Sequence, residues 1–160
     1  ELSIRFVFLR PLGLRLCDAI VPQLNGMLTD VEDLPRINEL AQSLQELKAS
    51  GQLTKFKAVV SATKCESLDD VFDRLEKLPQ YCFETKIRDR DAVVRDELEI
   101  VLGGKDAALI YKHLNREDYA EDVLKQYGAE ITPYGMVNRE DLGPLHEPIP
   151  EQQQEPQMRM

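Results

Sequence analysis

The sequence predicts an α+β protein that is mostly α-helical. It would comprise a short N-terminal β element, a bundle of five to six short helices and a disordered C-terminal tail. Three observations carry this. Leu2, Ile4, Phe6 and Phe8 alternate with Ser3 and Arg5, the period of a strand. From Asp33 onward apolar residues recur every three or four positions between capping residues, the period of amphipathic helices. From Gly143 the chain turns to Pro, Gln and Glu, too poor in apolar residues to order itself. The expected divisions are a β element at 1–30, an acidic helical domain at 31–142 and a tail at 143–160.

Each element has its own warrant. Leu2 to Leu9 is the best strand, and Arg10-Pro11-Leu12-Gly13 ends it. Leu14 to Val21 reads equally as a pairing strand or an irregular helix, and Pro22, Asn25 and Gly26 form a loop. Asp33 can cap the first helix, with Pro35 in its first turn, where a missing N–H costs nothing. Ile37, Leu40, Ala41, Leu44 and Leu47 share one face, and Gly51 ends it. Leu53, Phe56, Val59, Val60 and Thr63 form a second stripe. Ser67 and Asp70 can close a capping box on a third helix, with Leu68, Val71, Phe72, Leu75 and Leu78 inward and Pro79 as stop. Gln80 to Ile87 reads as an extended connection. A fourth helix spans about Asp91 to Leu102, with Val94, Leu98, Val101 and Leu102 inward, and Gly103-Gly104 breaks it. A fifth runs from Lys105 to Leu114. Asn115 can cap a sixth that turns Tyr119, Ala120, Val123, Leu124 and Tyr127 inward before Gly128 at the C′ position. In Ile131-Thr-Pro-Tyr-Gly-Met-Val, Pro133 suits the second position of a tight turn and Gly135 a positive φ.

Charge is the chain's most telling property. Of 160 residues, those from 66 to 147 hold 20 Asp/Glu against 11 Lys/Arg, a net of −9, whereas residues 1–65 carry a net of +1. A segment this acidic repels nucleic acid and anionic membrane and attracts proteins with basic grooves. The candidate binding carboxylates are Asp69, Asp70, Asp73 and Glu76 on the third helix, Asp96, Glu97 and Glu99 on the fourth, and Glu117, Asp118, Glu121 and Asp122 on the sixth. Acids at i and i+4 lie about 6 Å apart along a helix axis. One duplex strand offers a phosphate roughly every 3.4 Å. Such rows therefore approximate a phosphate row at about half its density per strand. The plainer alternative is a solvated face with local ion pairs such as Asp70–Arg74 and Glu121–Lys125. The interleaving of Arg88, Arg90 and Arg95 with acids reads as a salt-bridged helix start rather than a pure phosphate mimic.

Other chemistries find little support. Cys17, Cys65 and Cys82 are odd in number, widely spaced and without a Cys-x-x-Cys, as in a reduced, cytoplasmic protein with neither disulfide framework nor zinc. Arg5, Arg10 and Arg15 interrupt the N-terminal apolar residues, so neither a signal peptide nor a membrane span is expected. With 6% aromatic residues and no Trp, a base-stacking surface is not expected. Nucleophilic candidates reduce to Cys82 or Cys65 with His113 or His146, at spacings that match no triad. Calcium-loop and P-loop patterns are missing, Gly103-Gly104-Lys105 lacking the flanking residues. The expectation is a non-enzymatic protein without metal or cofactor.

Five stretches carry a family resemblance: Ile37-Asn-Glu-Leu-Ala, Leu53-Thr-Lys-Phe-Lys-Ala-Val-Val, Ser67-Leu-Asp-Asp-Val, Asp118-Tyr-Ala-Glu-Asp-Val-Leu and Ile131-Thr-Pro-Tyr-Gly-Met-Val-Asn-Arg. Together they resemble the ArdA-type antirestriction proteins of conjugative and other mobile elements, over about two-thirds of the chain. Leu2 to Leu28 departs from the family's N-terminal pattern, and the stretch from Tyr81 to Asp91 lacks its aromatic and acidic run. The resemblance implies an elongated acidic homodimer that imitates bent duplex DNA and occupies the DNA groove of a type I restriction–modification enzyme, without itself binding nucleic acid. Two alternatives stay open: a partner-binding adaptor module of a mobile element acting through an apolar face, and a DNA mimic aimed at another nuclease such as a CRISPR effector.

Overall fold

The computed structural model describes residues 34–151. The expected strand at Leu2 to Leu9, the stretch Leu14 to Val21, the Asp33 cap and the tail from 152 lie outside the described residues. The fold is α+β and mostly helical, with six helices and one small sheet among those residues.

Helix α1 (Leu34–Ser50) buries Ile37, Leu40 and Leu44, the stripe its period demands. Helix α2 (Leu53–Thr63) is the centre of the molecule. Phe56, Ala58, Val59, Val60, Ala62 and Thr63 are all buried, and the Thr63 hydroxyl donates to the Val59 carbonyl at 2.8 Å. A helix apolar on several faces must be covered on several faces. Here α1, helix α3 (Leu68–Glu76) and all three strands pack on it.

The sheet consists of β1 (Tyr81–Glu84), β2 (Glu130–Thr132) and β3 (Gly135–Arg139), in the order β1-β3-β2, antiparallel throughout. The expected extended connection after Pro79 is thus a short 3-10 turn, Leu78–Gln80, running into an edge strand. Residues opposite one another share a face. Phe83 faces Val137 and Tyr81 faces Arg139 on the side of α2, while Ile131 faces Met136 on the other side. That second side is covered by helices α4 (Arg90–Val101) and α6 (Arg116–Tyr127), with Ile87, Val93 and Val123 against Ile131 and Met136; helix α5 (Gly104–His113) connects the two. A second cluster of Val94, Leu98, Ala107 and Ala120 ties α4, α5 and α6 together. The result is three layers, with the sheet between two helical groups.

The β2–β3 hairpin follows its turn residues. Pro133 takes the second turn position. The Thr132 hydroxyl donates to the Gly135 carbonyl at 2.7 Å and accepts from the N–H groups of Tyr134 and Gly135. Gly135 sits at φ +151, and a Cβ there would lie 2.5 Å from the Glu84 carbonyl oxygen and 2.7 Å from the Phe83 ring. Gly128 ends α6 in the left-handed conformation, φ +58, with its N–H bonded to the carbonyls of α6.

Three expectations need correction. First, the chain from Gly143 to Glu151 is not a loose tail. Leu145 and Ile149 are buried in the α1–α3 core. The buried Arg139 donates to the carbonyls of Pro144 (2.9 Å) and Glu147 (3.1 Å), besides pairing with Asp141. Composition alone does not show that two apolar anchors and one guanidinium suffice to fix a proline-rich strap. Second, Val101 and Leu102 do not face inward but are 60% and 45% exposed. Helix α4 ends there, and α5, folding back through Gly103-Gly104, buries only Ala107. Third, Asn115 stands at the cap position of α6, yet its side chain caps no backbone N–H. Its amide donates instead to Asp118 at 2.5 Å.

Candidate interaction surface

Helix α3 begins with the predicted capping box. The Ser67 hydroxyl accepts from the Asp70 N–H at 3.2 Å, and the Asp70 carboxylate accepts from the N–H groups of Glu66 and Ser67, both at 3.0 Å. Those donors hold the Asp70 carboxyl below the usual carboxylate range, the Glu66 N–H foremost. Asp70 is therefore a structural group facing its own backbone. Asp69 pairs with Arg36 of α1 at 2.5 Å. Asp73 pairs with Arg74 and, at 2.7 Å, with Lys77. The expected pairing of Arg74 with Asp70 is replaced by this Asp73 contact, and Arg74 is buried. Among the described residues Glu76 forms no ion pair and is exposed.

Helices α4 and α6 lie side by side and run parallel, because α5 reverses the chain between them. Their beginnings meet at Arg90–Glu117, 2.9 Å, and their ends at Tyr127–Glu97, where the phenol donates at 3.2 Å. Glu97 is accordingly half-buried. Asp96 and Glu99 point outward, Glu99 accepting weakly from the Gly104 N–H at 3.4 Å. On α6 the exposed acids are Glu117, Asp118, Glu121 and Asp122, and Glu121 pairs with Lys125 at 2.7 Å as its spacing predicts. The hydrogen bond from Lys125 lowers the Glu121 carboxyl from its ordinary value. Of the eleven candidates, Asp69, Asp73, Glu117 and Glu121 are ion-paired. Among the described residues Glu76, Asp96, Glu97, Glu99, Asp118 and Asp122 have no cation partner. Part of the predicted row is thus the plainer alternative, a solvated face with local pairs, and part is unneutralised carboxylate.

One ionic cluster was legible only in outline. Asp91, in the first turn of α4, accepts from the Tyr111 hydroxyl and from Arg95 at 2.7 Å, and Arg116 stands 4.0 Å away. The guanidinium groups of Arg95 and Arg116 lie 4.5 and 4.9 Å from the Tyr111 ring centre, close enough for cation–π attraction. The Tyr111 hydrogen bond, then Arg95, lowers the Asp91 carboxyl. The i, i+4 spacing of Asp91 and Arg95 shows the first pair in the sequence. The role of Tyr111, 20 positions on, required the fold.

The thiol candidates separate. Cys82 is exposed on β1. Cys65 is half-buried, 3.5 Å from the Thr63 hydroxyl, and burial pushes its thiol up from its ordinary value. A nucleophilic thiolate needs the opposite shift. His146 lines the same cleft as Cys65, with its Nε2 3.6 Å from Glu130. Among the described residues no three His, Cys, Asp or Glu side chains gather as metal ligands, and no helix is long and apolar enough to cross a membrane.

No protein-family model, curated protein or solved structure matches the chain.

Proposed function

We propose that this protein inhibits a DNA-binding enzyme by presenting carboxylates in place of DNA phosphates, with a type I restriction–modification enzyme as the target. The observation that carries this reading is the pair of parallel helices α4 and α6, which turn Asp96, Glu99, Asp118 and Asp122 to solvent with no cation partner among the described residues. The segment bearing them holds the whole −9 of the chain. Parallel helices hold their acid rows in fixed register, and the Arg90–Glu117 pair and the Tyr127–Glu97 bond clamp that register at both ends. Such a surface would be complementary to a basic groove and would displace counterions from it on binding. The resemblance to ArdA-type proteins points the same way.

The test is cleavage of unmodified DNA by a purified type I restriction enzyme, with increasing protein, at low and high salt. The expected result is stoichiometric inhibition at low salt that weakens as salt rises. Absence of inhibition at both salts, with the target enzyme fully active, would overturn the antirestriction reading.

A further inference from the structure

The Arg74 side chain is a buried cation that is only partly paired. It lies on α3 and is 8% exposed. Nη1 of its guanidinium donates to the Asp73 carboxylate, while Nε is buried and bonded to nothing among the described residues. Buried donors in folded proteins nearly always meet an acceptor, so this one calls for an explanation. Arg74 lines a cleft of about 360 Å³ built from three segments. The link between α2 and α3 supplies Lys64, Cys65 and Glu66, α3 supplies Asp70 and Arg74, and the strap from Gly143 to Glu151 supplies His146. His146 is held at the cleft wall by its neighbour Leu145, which is buried in the core.

The charges around the cleft select the ligand. Asp73 serves two cations, Arg74 and, at 2.7 Å, Lys77. The Asp70 carboxylate is turned to the N–H groups of Glu66 and Ser67, at the positive end of α3. Glu66 is exposed, so water screens its charge. Lys64 is exposed and forms no ion pair among the described residues. The buried charge left short of a counter-charge is therefore the guanidinium, with Lys64 at the rim. Because Asp73 takes Nη1, the open edge is the one formed by Nε and Nη2. That edge is the fork that grips a phosphate or carboxylate with two parallel hydrogen bonds. A cationic ligand would be repelled by Arg74 and Lys64, and an apolar one would leave the Arg74 donor unmet.

We propose that this cleft binds a small oxyanion, a phosphate or carboxylate group whose oxygens accept from the Nε–Nη2 edge of Arg74 and from the Lys64 ammonium. The site uses none of the carboxylates of α4 and α6, and it would stand if the inhibitory reading failed.

Cys65 lines the cleft and so reports its occupancy. The experiment follows alkylation of the full chain by iodoacetamide, a neutral reagent, with Cys65 and Cys82 read separately by peptide mass spectrometry. Inorganic phosphate and acetate are titrated in separate arms, and sodium chloride holds the ionic strength constant. The expected result is a Cys65 rate that falls along a saturation curve, halved when the site is half filled, while the exposed Cys82 is unaffected. The arm that saturates at lower concentration identifies the head group. Lys64→Gln, a surface change, should require about tenfold more anion for the same protection. Arg74→Met should abolish the protection. If neither anion protects Cys65, or both cysteines slow alike, the proposal is overturned and water meets the Arg74 donor. A folded Arg74→Met protein that is still protected would overturn the site. Should Arg74→Met fail to fold, Lys64→Gln decides, and an unchanged protection curve overturns the proposal.

Discussion

Tyr127 donates its hydroxyl to Glu97 at 3.2 Å, joining the last residue of α6 to the eighth of α4. The negative carboxylate in turn holds the phenol proton, raising the Tyr127 pKa above its ordinary 10.0. For a raised pKa the stabilisation is complete below the unfolded value and is lost as pH climbs through the folded one. Tyr127→Phe should therefore lower the melting temperature slightly at neutral pH. The gap between variant and wild type should close above about pH 10. A gap independent of pH from 7 to 11, followed by thermal melts, would show that Glu97 is not the group responsible.

The capping box on α3 makes a separate prediction. Ser67→Ala leaves the Asp70 N–H without its acceptor and should destabilise the protein by about 1 kcal/mol, read from urea unfolding. Asp70 and Asp91, both with lowered carboxyl pKa, contribute stability that is complete above the ordinary value of 3.8 and fades as pH falls through their folded values. Acid unfolding should begin in that range, and Asp70→Asn should flatten it.

Gly135→Ala should be among the most damaging single changes. The added carbon would meet the Glu84 carbonyl at 2.5 Å and the Phe83 ring at 2.7 Å, where the end of β1 passes the start of β3. Over-packing at such a place costs about 3 kcal/mol. The check is chemical denaturation, with Gly128→Ala as a milder comparison at a helix end.

Arg139→Met removes the donors that fix the strap at Pro144 and Glu147 and leaves Asp141 unpaired. Asp141 remains solvated, so the expected loss is that of the hydrogen bonds from the buried guanidinium to the strap, about 2 kcal/mol. Its signature should be local as well: amides of residues 140–149 should exchange faster than those of α4 and α6.

The carboxylate surface predicts distributed effects. Asp96→Asn, Asp118→Asn or Asp122→Asn alone should change inhibition by less than about threefold, and the triple variant by more than about tenfold, with a shallower salt dependence. One dominant single variant would point to a specific contact instead of a charge field.

The parts of the fold that sequence reasoning reached are those written in local spacing. The stripes Ile37–Leu40–Leu44 and Phe56–Val59–Val60, the Ser67–Asp70 box and the Thr132–Gly135 turn all follow from neighbours within a few positions. What stayed hidden is non-local. Tyr81–Glu84 becomes a strand only because β3 arrives more than fifty residues later to pair with it. Leu145 and Ile149 are anchored in a strap that Arg139 fixes at the Pro144 and Glu147 carbonyls. At the acidic surface, spacing named Glu121–Lys125 correctly, but Asp69–Arg36 and Glu117–Arg90 cross between helices, so the neutralised fraction was not visible in the order of residues.

The order β1-β3-β2 has a consequence for how the chain is made. As synthesis proceeds, α1 to α3 and β1 leave the ribosome with Tyr81 and Phe83 lacking their strand partner. Helices α4 to α6 can associate as a local unit meanwhile, since their contacts are close in sequence. The first core closes only when β3 slots between β1 and β2 and the Leu145–Ile149 strap follows. A chain that stopped before β3 would leave Tyr81–Glu84 without its partner strand, an open, aggregation-prone sheet edge.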